Sequence, residues 1–150
     1  MSHSYSNCLV HYVFSTKDRR KLILPEIRER LWSYLGGIAR QNEMTALAIG
    51  GTDDHVHLLV SLPATLPVSK AIQLLKGGSS KWIHETFPTM GNFAWQEGYG
   101  AFSVGVSGVD DTIAYITNQA EHHRTKTFEE EFISFLKRHN LPFDDRYVFG

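Results

Sequence analysis

An α+β fold is predicted, a βαββαβ sandwich of the ferredoxin-like type with an antiparallel sheet and further helices at the C-terminal end. Three observations lead to it: the order of strand-like and helix-like stretches, a turn at 50–54 that joins two strands as a hairpin, and a stretch at 54–62 whose apolar residues suit a buried strand.

Residues 7–16 alternate as a first strand, and residues 25–41 form a helix opened by Pro25 and carrying Ile27, Leu31, Leu35 and Ile38 on one side. Residues 44–50 are a second strand, followed by the Gly50-Gly51-Thr52-Asp53-Asp54 turn and the third strand. Residues 67–87 read as a helix broken at Gly77-Gly78-Ser79-Ser80, where glycines would admit a backbone or a phosphate. After a loop at 88–92, residues 98–106 supply the fourth strand. A helix at 109–121 and a last helix at 127–140 follow, the latter with Thr127 and Glu130 spaced as a capping box. Gly105 and Gly108 punctuate the entry to the 109–121 helix, or hinge it. In such a sheet the first and third strands are central neighbours, which brings His11 near His57, although a packed core histidine is the preferred reading of His11.

With 150 residues, 42% hydrophobic and 21% charged, the chain reads as one domain over 1–150, large enough for a core without disulfides. No apolar run approaches a membrane span, so no membrane role is expected. The start has no basic segment followed by an apolar one, which predicts a cytoplasmic protein. The single Cys8 fits a reducing compartment and excludes a thiolate zinc module. A net charge of −1 and a pI of about 6.7 argue against a protein that coats duplex DNA. The basic residues are nevertheless clustered: Lys17, Arg19, Arg20 and Lys21 after the first strand, Lys70, Lys76 and Lys81 on the middle helix, Arg124 and Lys126 near the end. Each cluster is either a solvated face or, if the fold gathers them, part of a phosphate track.

Strand periodicity points His55 and His57 to one face while Val56, Leu58, Val60 and Leu62 take the other. Two hydrogen-bonded core histidines satisfy that spacing, and so does a pair that chelates one divalent cation. In the 109–121 helix Val109, Ile113, Ile116 and Ala120 form an apolar stripe, and Asp111, Tyr115, Gln119 and His122 a second one. Laid over the histidine face, that helix would set an amide oxygen at the metal and a phenol beside it, a nucleophile next to a Lewis acid.

These residues resemble the single-tyrosine HUH transposases, small enzymes that move insertion sequences as single-stranded DNA, and their repeat-associated relatives. The likeness rests on residues 10–17 (VHYVFSTK), 54–59 (DHVHLL), 93–104 (FAWQEGYGAFSV), 115–119 (YITNQ) and His122-His123, and spans nearly the whole chain. It implies Tyr115 as catalytic nucleophile, His55, His57 and Gln119 as ligands of Mg²⁺ or Mn²⁺, and a 5′-phosphotyrosine through which single-stranded DNA is cleaved and rejoined at hairpin-marked ends. It also implies a homodimer in which the tyrosine helix can dock on the partner's histidine pair. Lys17, Arg19, Arg20, Lys76, Lys81 and Arg124 are candidate DNA contacts and His122 a candidate auxiliary residue, while His123 is expected to meet solvent or the last helix. Among Trp82, Phe93, Trp95, Tyr99 and Phe102, one is assigned to stacking on a base and the rest to the core. A domesticated endonuclease that processes repeats, and an initiator nuclease of replication or mobilisation, share the same residue set; a non-catalytic DNA-binding descendant would not need it.

Overall fold

The computed structural model describes residues 3–149. Four strands, β1 (Cys8–Ser15), β2 (Thr45–Gly51), β3 (His55–Leu62) and β4 (Gly100–Ser103), form one antiparallel sheet in the order β2-β3-β1-β4. Helices α1 (Pro25–Gln41) and α2 (Val68–Thr86) are the crossovers, and α3 (Val109–Thr117), α4 (Gln119–His122) and α5 (Phe128–Arg138) follow β4. This is the βαββαβ order and strand arrangement expected from the sequence.

The sheet is covered on both faces, and side-chain alternation decides what each face holds. Val10, Tyr12 and Phe14 of β1 and Val56, Leu58, Val60 and Leu62 of β3 meet Leu31, Leu35 and Ile38 of α1 and Ile72, Leu75 and Ile83 of α2 in the larger core. The opposite face carries Leu9, His11, Val13 and Ser15 of β1 and His55, His57 and Leu59 of β3, since Val13 pairs with His57 and Ser15 with His55. Two smaller apolar clusters cover that face. One sets Ile116 of α3 on Leu9, Ala48 and Leu59, and the other sets Phe128, Phe132, Phe135 and Leu136 of α5 on Val13 and Phe102. The histidines are therefore sealed between the sheet and the C-terminal helices.

Several expected elements are corrected. The middle helix is not broken at 77–80: α2 runs continuously, and a Cβ on Gly78 would meet Ile38 of α1 at 2.9 Å, so this glycine admits a neighbouring helix and not a phosphate. Ser79 is buried there, donating to the Leu75 carbonyl at 2.6 Å and accepting from Trp95 Nε1 at 3.0 Å. The fourth strand is only Gly100–Ser103, because β1 pairs with it solely from Val10 to Val13. The tyrosine helix is not continuous through 121; it stops at Thr117, Asn118 leaves helical geometry (φ −104°, ψ 28°), and α4 starts at Gln119. Phe128–Arg138 does carry the expected box, with Glu130 N–H donating to Thr127 Oγ1 and Thr127 N–H to Glu130 Oε1. Among the described residues no helix is long and apolar enough to cross a membrane.

Candidate metal centre and nucleophile

His55 and His57 are fully buried, with rings 5.2 Å apart. Each is fixed by a partner on one ring nitrogen and presents the other to the C-terminal helices. His55 Nδ1 lies 2.7 Å from Asp54 Oδ1 and 3.0 Å from Thr52 Oγ1, and its Nε2 lies 3.0 Å from Gln119 Oε1. His57 Nδ1 lies 2.8 Å from His11 Nε2, and its Nε2 lies 3.0 Å from Glu131 Oε1. His11 is thus both a packed core residue and the direct neighbour of His57. Burial lowers the His57 pKa to about 4 and, with the adjacent His57, lowers that of His11 to about 3, so both imidazoles are neutral at pH 7. Neutral imidazole is the form that ligates metals. Burial pushes the Asp54 carboxyl up, but its hydrogen bonds from His55 and Thr52 outweigh that and hold it below the usual range.

Tyr115 and Gln119 reach the histidines because α3 sits directly on β2. A Cβ at Gly50, the residue paired with His57 across the β2–β3 ladder, would fall 2.3 Å from the Ile116 carbonyl oxygen. Only glycine permits that approach. Gln119 is buried and its amide also donates to the Tyr115 carbonyl at 3.2 Å, which holds the two residues together across the Asn118 break. The half-buried Tyr115 stacks on the His122 ring at 4.4 Å and donates its hydroxyl to Glu131 Oε2. Burial and the Glu131 carboxylate both push the phenol well above its usual pKa, so it is held as a protonated donor.

Glu131 and His123 were not among the candidate ligands. Glu131 Oε1 lies 3.0 Å from His57 Nε2 and 3.5 Å from His55 Nε2, while Oε2 lies 3.2 Å from His123 Nε2. Burial would raise the Glu131 pKa; the His123 and His57 contacts more than reverse this and hold the carboxylate ionised. Burial lowers the His123 pKa, and Glu131 raises it by more, leaving it above the usual value. His55, His57, His123 and Glu131 each offer a ligand atom, all within 4.8 Å of one another, which fits a divalent cation. A signal for Glu131 existed in the sequence: it interrupts the buried stripe Phe128, Phe132, Phe135 of an amphipathic helix, where an unpaired carboxylate would be costly.

The chain matches the family described as "Transposase IS200 like" over residues 4–119. It belongs to the IS200-like transposases. These are DNA strand-cleaving enzymes, and their single-tyrosine class is the one that the HUH residues resemble. Among curated relatives of this transposase, the "Transposase for insertion sequence element IS200" of Salmonella typhimurium is 29% identical over 131 residues, covering 83% of this chain and 84% of the relative. The "ISDra2 transposase TnpA" of Deinococcus radiodurans is 25% identical over 114 residues, covering 73% and 81%. Among solved structures, a putative transposase from Deinococcus radiodurans R1 superposes with a TM-score of 0.65 at 26% identity, covering 79% of this chain and 96% of the other. A REP-associated tyrosine transposase bound to a REP hairpin shares the fold, with a TM-score of 0.56 at 16% identity, covering 77% and 68%.

The family match ends at Gln119, and His123 and Glu131 lie beyond it in the chain. The candidate DNA contacts are dispersed by the fold. Arg19 lines a cleft of about 610 Å³ with Lys21, Arg28 and Lys126 that reaches His123, and it pairs with Glu129 at 3.4 Å. Lys17 and Arg20 are exposed beside it, Arg20 being 3.8 Å from Asp18. Arg124 pairs with Glu121 at 3.1 Å. Lys76 and Lys81 belong to α2, on the far side of the sheet from the histidines. The Lys76 ammonium donates to the Gln96, Glu97 and Gly98 carbonyls at 2.5, 3.2 and 2.9 Å, and Lys81 is exposed near Glu85. A second cleft, of about 230 Å³, opens onto the Tyr115 side chain and is lined by Tyr115, His122, Lys126, Glu131 and Arg138. Phe93, Trp95 and Phe102 are core residues; Tyr99 is exposed, and Trp82 stacks on Tyr34 at 4.6 Å.

Proposed function

We propose that this transposase cleaves and rejoins single-stranded DNA at hairpin-marked ends, with Tyr115 as nucleophile and the His55–His57 pair, joined by Gln119, holding Mg²⁺ or Mn²⁺. The observation that carries the proposal is a convergence on one carboxylate: Glu131 meets His57 Nε2 with one oxygen and the Tyr115 hydroxyl with the other. Nucleophile and ligands therefore share a site, although 58 or more positions separate the tyrosine from either histidine in the chain. A bound divalent cation supplies Lewis-acid polarisation of the scissile phosphate and stabilises the phenolate.

The residues then divide the work. Asp54 and His11 fix the two imidazole rings from behind, as outer partners of metal-binding histidines do. Lys126 and Arg138 line the cleft through which a phosphate reaches Tyr115. In the cleavage step the Tyr115 oxygen forms a bond to phosphorus, the bond from phosphorus to the 3′-oxygen breaks, the phenol gives up its proton and the departing 3′-oxygen takes one up. Attack by another 3′-hydroxyl on the phosphotyrosine reverses these changes and joins strands without ATP.

The test is denaturing electrophoresis with labelled single-stranded DNA from both flanks of the gene, with Mg²⁺ or Mn²⁺. A metal-dependent protein–DNA adduct that disappears in Tyr115→Phe is the expected result. An adduct that persists in Tyr115→Phe would refute the assignment of the nucleophile.

A further inference from the structure

The histidine pair faces more donor atoms than the strand and the tyrosine helix supply. In the tautomer that gives its Nδ1 proton to Asp54, His55 carries a lone pair on Nε2. That lone pair faces Gln119 Oε1 at 3.0 Å and Glu131 Oε1 at 3.5 Å. Buried acceptors turned toward one another repel unless a proton or a cation lies between them. His123 adds to the pattern. Its Nε2 is buried, sits 3.2 Å from Glu131 Oε2, and has no partner in hydrogen-bond alignment. An inward orphaned nitrogen beside a buried carboxylate and two buried imidazoles is a donor set that fits a divalent cation.

Resting on the reading of His55, His57 and Gln119 as metal ligands, we propose that Glu131 and His123 are further ligands of the same cation, so that three imidazoles, one carboxylate and the Gln119 amide oxygen hold it. Both residues lie outside the family match at 4–119, so the C-terminal segment of this chain completes its metal centre. Two consequences follow from the donor set. Imidazole nitrogens raise the affinity for first-row transition ions over Mg²⁺, least for Mn²⁺ and more for the later ions, whereas Mg²⁺ is held through oxygen. Glu131 also accepts the Tyr115 hydrogen bond through Oε2 while Oε1 faces the histidines, so the ligand that closes the cation site also holds the nucleophile beside it.

The experiment is Mn²⁺ titration of the full chain without DNA, followed by electron paramagnetic resonance, with pulsed measurements that count the imidazole nitrogens on the bound ion. Unsubstituted protein, Glu131→Gln, His123→Ala and His55→Ala are compared, with Mg²⁺ as competitor and thermal melts to establish folding. The expected results are one Mn²⁺ bound with three imidazole nitrogens, weak competition by Mg²⁺, at least about tenfold weaker binding in Glu131→Gln, and one nitrogen lost in His123→Ala. The nitrogen count on the unsubstituted protein needs no variant and stands even if Glu131→Gln fails to fold. Two nitrogens on the bound ion, or affinity unchanged in Glu131→Gln, would overturn the added ligands and leave the histidine pair in place. No Mn²⁺ binding by the unsubstituted protein, or binding that survives His55→Ala, would instead overturn the metal reading of the whole site.

Discussion

Replacing Gly50 by Ala inserts a methyl group between β2 and the helix that carries Tyr115. The new Cβ falls 2.3 Å from the Ile116 carbonyl oxygen and 3.1 Å from its Cγ2, whereas real Cβ contacts essentially never lie below 3.0 Å. The obstacle is backbone on both sides, so no rotamer change relieves it, and α3 must withdraw. Overpacking of this kind costs about 1–3 kcal/mol. Withdrawal also loosens Ile116, fully buried against Leu9, Ala48 and Leu59, where a vacated packing site costs about 2–5 kcal/mol when it cannot collapse. A net loss of about 3 kcal/mol corresponds to a Tm lower by roughly 6–12 °C for a chain of this size. Tyr115 and Gln119 flank Ile116, so the adduct yield falls with the Tm. Calorimetry, hydrogen exchange of the α3 amides and the DNA adduct assay read the three effects. Gly37→Ala is the control, since nothing lies within 4 Å of a Cβ there and the change sits in a helix, where it is expected to stabilise by about 0.4–1 kcal/mol. A Gly50→Ala protein with Tm within about 1 °C of the parent and unchanged α3 protection would show that α3 is not seated on β2.

Two further outcomes follow. Within one chain Tyr115 already meets its own histidines through Glu131, so a mixture of His57→Ala and Tyr115→Phe proteins is expected to form no adduct; restored cleavage would show a homodimer with sites built across subunits. With metal chelated, stability is expected to fall as pH drops from about 6.5 toward 4. Unfolded imidazoles take up protons in that window, while His57, lowered to about 4, and His11, lowered to about 3, refuse them in the folded state. Between pH 7.5 and 5.0 each contributes a loss on the order of 2 kcal/mol. His123, raised above its usual value, acts in the opposite sense, its contribution being full below the unfolded pKa and lost as pH rises. Urea midpoints at the two pH values measure the balance, and an equal or higher midpoint at pH 5.0 would contradict the buried neutral pair.

The amino-acid order alone determined the features that repeat along one element. Alternation in β3 placed His55 and His57 on a single face, the spacing of Tyr115 and Gln119 kept both near that face, and Thr127 and Glu130 announced the cap of α5. The order of strands and helices was enough to give the sheet, with His11 beside His57. Periodicity is silent where a helix bends without proline, so it predicts neither the break at Asn118 nor an α2 that runs unbroken through Gly77 and Gly78. The Lys76 ammonium, read as a candidate DNA contact, is engaged by the carbonyls of a loop that sequence spacing does not bring near α2. Only the tertiary structure decided that Glu131, 74 residues from His57, enters the histidine pair with His123 and holds Tyr115. Local patterns report which side chains share a face, because helix and strand geometry fix that within a few residues. Which faces meet depends on how α5 packs through Phe128, Phe132 and Phe135, a long-range fit between elements.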